Sequence, residues 1–180
     1  MDKYEILLNQ NKKTFHAQDL ALLWDVDNKD TLNVTLKRFV DRGVLKRIHK
    51  GFYSTTNIEN IDPLDLGFSY LNTYNYVSLE TILAKEGIIF QELKYITLVS
   101  SKSNTFEINN QMYKVRQLKD EFLNNTLGIY KKGEHYEATV ERAIADLLYY
   151  NSKYHFDNTS SINFEKVLSL QKEIGYVASK

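Results

Sequence analysis

The sequence predicts an α+β fold in two modules: three short helices with a basic hairpin, followed by a small mixed α/β module. Two observations carry this prediction. Apolar residues recur at helical spacing in three segments before residue 43, and helix-like and strand-like patterns alternate after residue 57. A length of 180 residues suits one domain or two small ones, at roughly 100 to 200 residues per domain. We therefore place the domains at residues 1–56 and 57–180.

Composition excludes several classes of protein. With 43% hydrophobic and 26% charged residues, the chain is typical of a folded protein and unlike a disordered or collagen-like one. The absence of cysteine excludes disulfides, thiolate metal sites and cysteine nucleophiles. The start lacks the apolar segment of a signal peptide, and no apolar run reaches the length of about 20 residues that spans a bilayer. We therefore expect a cytoplasmic protein with no membrane partner.

Three helices and a hairpin are predicted in the first module. Apolar stripes place the helices at residues 3–12, 17–24 and 31–42. Asn28 or Asp30 is expected to cap the third helix, and Gly43 lies where a left-handed residue commonly ends one. Residues 44–54 are short, basic and apolar, with a turn at Lys50-Gly51, which is typical of a hairpin. This order is that of a winged helix-turn-helix, whose third helix enters the major groove of DNA.

Charge is spread unevenly along the chain. The 23 basic and 23 acidic residues cancel, but residues 29–54 contain seven of the bases and only two of the acids. We interpret this as a basic first module that meets phosphate and a neutral-to-acidic second module that does not. The plain alternative is a three-helix domain that contacts another protein and has ordinary surface lysines.

The predicted DNA-binding site combines the polar face of the third helix with the basic hairpin. Arginine and lysine on the hairpin would neutralise phosphates. Asn33, Lys37 and Arg38 can donate hydrogen bonds to base edges, and Thr31 or Thr35 can contact a base or a phosphate. The complete set is Thr31, Asn33, Thr35, Lys37, Arg38, Arg42, Lys46, Arg47, His49 and Lys50.

The second module alternates helices and strands. After a polar connector at residues 57–61, Asp62 and Pro63 mark a helix start, and Ser78 is expected to cap a short helix that Gly87 ends. An Asn109-Asn110 turn joins two of the predicted strands. Further elements are strands at 76–77, 88–90, 95–99, 105–109, 111–118, 129–130 and 135–136, a helix capped by Thr139, and a last helix at 163–171.

No catalytic, metal or cofactor site is predicted. The chain has no glycine-rich phosphate loop and no G-x-S-x-G turn. One alternative is a metal-dependent nuclease cluster of Glu137, Glu141 and Asp146 with His135, in which the two glutamates would share a helix side. The simpler interpretation pairs Asp146 with Arg142, one helical turn earlier. We therefore expect that the chain is not an enzyme.

Four blocks of sequence follow one another in a recognisable order. The first runs from Phe15 to Leu23, followed by Thr31-Leu32 and RFVDRGVLKR at residues 38–47, and the second is KGFYS at 50–54. The third is YVSLET at 76–81 with GII at 87–89, and the last is ATVERAIADLL at 138–148. Together they span nearly the whole chain and resemble the AbiEi-type antitoxins of abortive-infection, type IV toxin–antitoxin systems.

The resemblance implies two activities. The winged helix would bind inverted repeats in the promoter of its own operon and repress it, and the second module would counteract a nucleotidyltransferase-like toxin encoded next door, as part of phage defence. Direct binding to that toxin stays open. The alternative is a winged-helix transcriptional regulator whose second module binds a ligand or dimerises and has no toxin partner.

Overall fold

Two units, Met1–Asn72 and Thr73–Lys180, make up an α+β fold. The structure is a computed structural model that describes residues 2–176. Its helices and strands follow the predicted order closely in both units.

In the first unit the described residues form four helices and three strands. The strands make one antiparallel sheet in the order β1-β3-β2. The helices and the hairpin of the first 54 residues confirm the predicted elements, although the first helix ends four residues early. The elements are α1 (Lys3–Leu8), β1 (Thr14–His16), α2 (Ala17–Leu23), α3 (Lys29–Asp41), β2 (Lys46–His49), β3 (Phe52–Ser54), a 3-10 turn (Ile58–Asn60) and α4 (Pro63–Tyr70).

Helix α3 shows why this local sequence folds as predicted. The Asn28 side chain accepts hydrogen bonds from the backbone N–H groups of Asp30 and Thr31, at 2.9 and 3.0 Å, and so caps the helix. Its buried stripe packs into the core, where the ring of Phe39 lies 4.9 Å from that of Trp24. Gly43 follows the helix with φ +72°. This left-handed conformation has a low free-energy cost for glycine because glycine has no Cβ.

The first unit extends beyond the predicted boundary after residue 56. Helix α4 begins as predicted, with the Asp62 side chain as its cap and Pro63 at its first position. Its end packs on the sheet of the first unit: the His16 ring nitrogen lies 2.9 Å from the Ser69 carbonyl, and the ring of Tyr70 meets that of Phe52 edge-on at 5.6 Å. Because these contacts join distant parts of the chain, the sequence pattern placed the boundary too early, and the division falls after Asn72.

The second unit is built on a six-stranded mixed sheet in the order β6-β7-β5-β4-β9-β8. Strand β4 is antiparallel to β5 and parallel to β9, which places two non-adjacent parts of the chain side by side. Helices α7 and α8 pack against each other, and α5 packs on α7. The elements are β4 (Asn75–Val77), α5 (Glu80–Lys85), β5 (Tyr95–Ser100), β6 (Asn104–Ile108), β7 (Gln111–Gln117), α6 (Asp120–Leu123), β8 (Ile129–Lys132), β9 (His135–Ala138), α7 (Val140–Tyr150) and α8 (Phe164–Ile174).

Most predictions for the second unit are confirmed, and two are wrong. Asn109 and Asn110 have φ of 51° and 61° and form the predicted hairpin turn, while Thr139 caps α7. Residues 88–90 form no strand and follow the end of α5 as irregular chain. Ser78 does not cap α5. Its hydroxyl instead donates a hydrogen bond to Asp146, 68 residues away, a partner that local patterning cannot supply.

Candidate nucleic-acid interface

A groove of about 460 Å³ runs between α3 and the β2–β3 hairpin. Lys29, Asn33 and Lys37 line it from α3, and Arg47 and Lys50 line it from the hairpin. The three helix residues are spaced by four, so they share one face of α3 and all reach the groove. The groove therefore brings together four cations and one amide side chain.

The other predicted residues of α3 lie on a neighbouring part of its surface. Thr31, Arg38 and Arg42 are exposed and outside the groove lining. Thr35 is half-buried, and its hydroxyl donates to the Thr31 carbonyl at 2.8 Å, so its one proton is already used within the helix. Helix α3 thus carries two polar strips, one facing the hairpin and one facing away from it.

Two predicted residues of the hairpin point to partners outside the groove. The Lys46 ammonium group donates to the side-chain oxygen of Asn57, and the His49 ring meets the Tyr70 ring edge-on at 5.6 Å. Both side chains remain exposed. Lys29 lies in the groove but was missing from the predicted set, although its spacing of four and eight residues from Asn33 and Lys37 is a signal that the sequence contains.

The cations of this surface have no acidic partners. In the part of the chain that the structure describes, no salt bridge involves Lys29, Lys37, Arg38, Arg42, Arg47 or Lys50. All six side chains are exposed. Unpaired cations at close quarters repel one another, and a polyanion relieves that repulsion while releasing its own counterions. The α3–hairpin surface is therefore suited to phosphate.

The unit boundary changes the interpretation of the charge pattern. Residues 1–72 contain 10 basic and 10 acidic residues, and residues 73–180 contain 13 of each. The second unit is therefore neutral, and the acids that balance α3 and the hairpin lie mainly in the first unit itself. They sit in α1, in the turn before α3 and around α4. The first unit thus has a basic face and an acidic remainder, and the two units do not differ in net charge.

The second unit holds a buried ion pair. Arg142 Nε donates to Asp146 Oδ1 at 2.8 Å, and both side chains are fully buried. Three hydroxyls also donate to the Asp146 carboxylate, those of Tyr76 at 2.9 Å, Ser78 at 2.8 Å and Tyr176 at 2.6 Å. Burial alone would lower the pKa of Arg142, but the Asp146 charge raises it above the usual range. The predicted pairing of Asp146 with Arg142 is confirmed.

The guanidinium group of Arg142 ties a loop to this cluster. Its Nη1 donates to the carbonyls of Asn125 and Leu127, at 2.8 and 2.9 Å. The loop passes close to α7 at Gly128, whose φ is +71° and where an added Cβ would lie 2.8 Å from the Cβ of Arg142. We call Tyr76, Ser78, Arg142, Asp146 and Tyr176 the Arg142–Asp146 cluster. It joins β4, the loop at residues 124–128, α7 and the residues that follow α8.

A second buried carboxylate, Glu137, lies on β9. It accepts hydrogen bonds from Lys85 at 3.0 and 3.1 Å, from Lys132 at 3.3 Å and from the Tyr130 hydroxyl at 3.0 Å, and the His135 ring nitrogen lies 3.0 Å away. Burial raises the pKa of Glu137, but the hydrogen bonds from His135, Lys85 and Tyr130 outweigh it and lower the pKa to about 2. Glu137 is therefore ionised at neutral pH.

Two carboxylates of the nuclease alternative, Glu137 and Asp146, belong to separate clusters. Glu137 belongs to a strand, so it does not share a helix side with Glu141, which corrects that expectation. Asp146 is occupied by Arg142 and three hydroxyls. Among residues 2–176, no group of three or more His, Asp or Glu side chains is placed to hold a metal ion.

Acid should remove the stabilisation that Glu137 contributes. Because its folded pKa of about 2 lies below the unfolded value of 4.5, its contribution of about 3 kcal/mol is present above pH 4.5 and is lost as the pH falls towards 2. In urea unfolding from pH 7 to pH 2.5, we expect the difference between the wild type and Glu137→Gln to narrow. The exposed control Glu121→Gln should keep a constant, small difference from the wild type. A pH-independent gap for Glu137→Gln would contradict the assignment.

The chain matches no protein-family model and no curated protein. Within residues 2–176, none of the helices combines the length and the hydrophobicity that a membrane-spanning helix requires.

Proposed function

We propose that the first unit binds double-stranded DNA as a winged helix, with α3 in the major groove and the β2–β3 hairpin as the wing beside the backbone. The observation that carries this proposal is the groove between α3 and the hairpin, lined by four cations that form no salt bridge within residues 2–176. In a surface that only contacts another protein, nothing would offset the repulsion between unpaired cations that two elements place in one groove. A phosphate backbone bound in the groove offsets this repulsion.

The cations of the groove suit the phosphate backbone of DNA, whereas Asn33 and Arg38 suit the bases. Lys29, Lys37, Arg47 and Lys50 can follow a phosphate backbone laid along the groove, which positions the helix without reading sequence. Asn33 can form a paired hydrogen bond with adenine and Arg38 with guanine, because their donor and acceptor patterns match those base edges in the major groove. The groove cations of α3 and the hairpin would thus supply affinity, and Asn33 and Arg38 would supply specificity.

For the whole chain we propose the role of a type IV antitoxin that represses its own operon and counteracts a nucleotidyltransferase-like toxin in the cytoplasm, without catalysis of its own. The resemblance of the sequence blocks to AbiEi-type antitoxins supports this role. Two of those blocks also meet in one cluster: Tyr76 and Ser78 of YVSLET both donate to Asp146 of ATVERAIADLL. Residues of two blocks that carry the resemblance are therefore in direct contact in the second unit.

A binding titration with the chain's own upstream DNA tests the first part of the proposal. We expect tight binding to a duplex that contains inverted repeats, with log Kd rising linearly with log salt. A scrambled duplex of the same length is the control, and equal affinity for both duplexes would exclude a specific operator.

Rescue of growth tests the second part. When the neighbouring nucleotidyltransferase-like gene is expressed, co-expression of the full chain should restore growth. A chain with Lys37→Glu and Arg47→Glu should lose repression and keep rescue, because these residues belong to the first unit. Absence of rescue by the wild-type chain would remove the antitoxin role.

A second candidate function is a ligand-responsive regulator. A largely apolar cavity of about 380 Å³ lies between the end of α7 and α8, lined among others by Leu148, Phe156, Phe164 and Val167. Pockets of this size and character bind small molecules in many proteins. This function predicts that a small molecule changes the affinity for the operator, and that the chain does not restore growth when the neighbouring gene is expressed.

A further inference from the structure

Val34 is an apolar side chain in the middle of the polar face of α3. It is 50% exposed, although the neighbouring positions Leu32 and Leu36 are buried. The partly buried apolar side chains that pack on the core of the first unit include Val26, Val40 and Val44 but not Val34. Its two methyl groups therefore do not contribute to the core.

The surroundings of Val34 on the helix are charged. At spacings of three, four and seven residues within α3, four of its five neighbours are charged: Asp30, Lys37, Arg38 and Asp41, with Thr31 as the fifth. Valine is also a poorer helix former than the alanine, lysine or glutamate that suit an exposed helical position. Neither core packing nor helix stability accounts for a valine at this position.

The position of Val34 on the proposed DNA-binding surface explains why an apolar side chain is exposed there. Val34 lies between the strip that lines the groove, with Asn33 and Lys37, and the strip that carries Arg38. A helix that meets the major groove with cations on both flanks places its middle residue against the base edges. Of the groups that bases expose there, the C5 methyl of thymine is the one apolar group that a valine can contact.

We infer that Val34 reads a thymine methyl group in the operator and is a specificity-determining residue of the DNA-binding surface. This inference rests on the proposed DNA-binding function. The ligand is a thymine in the major groove, held against Val34 while the cations of the groove bind phosphate and Asn33 is placed to read an adjacent base. Burying one methyl group against the valine should raise affinity about fourfold for each thymine contacted.

Two changes test this inference: one removes the C5 methyl group of thymine from the DNA, and the other removes the two methyl groups of Val34 from the protein. The upstream DNA duplex is prepared with dTTP or with dUTP, which replaces every thymine by uracil and so deletes the C5 methyl groups. Affinity for both duplexes is measured by fluorescence anisotropy with the full-length wild type, Val34→Ala and the control Leu22→Ala. Leu22 is 83% exposed on α2 and lies outside α3 and the hairpin. Circular dichroism checks that the variants fold.

The expected result is a coupling between protein and DNA. The wild type and Leu22→Ala should bind the thymine duplex at least about fourfold more tightly than the uracil duplex. Val34→Ala should lose most of this ratio and bind thymine DNA about as the wild type binds uracil DNA. Single thymine-to-uracil substitutions would then locate the contacted base.

Two outcomes overturn the inference, and they are distinguishable. If Val34→Ala keeps the same thymine-to-uracil ratio as the wild type, Val34 does not read a methyl group, and the DNA-binding function stands. If the wild type binds neither duplex more tightly than a scrambled one, the proposed function fails and the inference fails with it.

Discussion

Replacing Asp146 by alanine is expected to destabilise the second unit by about 3–5 kcal/mol, because it leaves Arg142 buried without a counter-ion. The same change removes the acceptor of three buried hydroxyls, those of Tyr76, Ser78 and Tyr176. Typical domains are stable by about 5–15 kcal/mol, so this loss is a large fraction of the total. Urea unfolding at pH 7 followed by far-ultraviolet circular dichroism measures it.

The chain offers two controls for this experiment. Glu141→Ala changes a half-buried carboxylate in the same helix that takes no part in the Arg142–Asp146 cluster, and it should alter stability by less than about 1 kcal/mol. Trp24 is the one tryptophan of the chain and lies in the core of the first unit, so its fluorescence follows that unit. If Asp146→Ala matched Glu141→Ala in stability, the cluster would not be a main support of the second unit.

Reversing the charge at both Lys37 and Arg47 is expected to weaken binding to the proposed operator about 100-fold. Each side chain lines the groove, one from α3 and one from the hairpin, and neither forms a salt bridge in the described residues. A hydrogen bond to a charged group contributes about 1.5–3 kcal/mol, so the loss of two such contacts accounts for the factor. Neutral variants, Lys37→Gln and Arg47→Gln, should each reduce the slope of log affinity against log salt by about one.

The control for this prediction carries the same change in net charge at a different place. Lys94→Glu with Lys153→Glu reverses two exposed lysines of the second unit. If binding depended only on net charge, both double variants would weaken it equally, and such a result would contradict the proposed groove. We expect the control to bind DNA within about threefold of the wild type, because charges outside the contact surface are screened by salt.

The sequence predicted the local elements of both units well. Stripes at helical spacing located α3 and α7, the side chains of Asn28, Asp62 and Thr139 cap helices, and Asn109-Asn110 forms a tight turn. These features depend on contacts within a few residues, which a sequence pattern contains. Strand β1 escaped prediction because three residues, Thr14–His16, are too few to show an alternation.

The candidate site was predicted in part. Exposed polar positions on α3 and the basic hairpin follow from periodicity, since a residue outside the buried stripe of a helix faces solvent. Periodicity does not show which of these side chains lie close together. The groove is lined by Lys29, Asn33, Lys37, Arg47 and Lys50, while Lys46 and His49 contact Asn57 and Tyr70 instead. Which residues line the groove depends on how the hairpin packs against α3.

Periodicity, capping and charge are local properties, and they are enough to predict the α+β class, the order of the elements and the basic character of α3 and the hairpin. Three features depend on the fold: the end of the first unit, the neutrality of both units, and the contacts of Asp146 with Tyr76, Ser78 and Tyr176 beside Arg142. The contacts of Asp146 join residues that lie far apart along the chain, which a local pattern does not contain. Burial makes an unpaired charge costly, so partners come from wherever the fold brings them together, in this case 30 to 70 residues away.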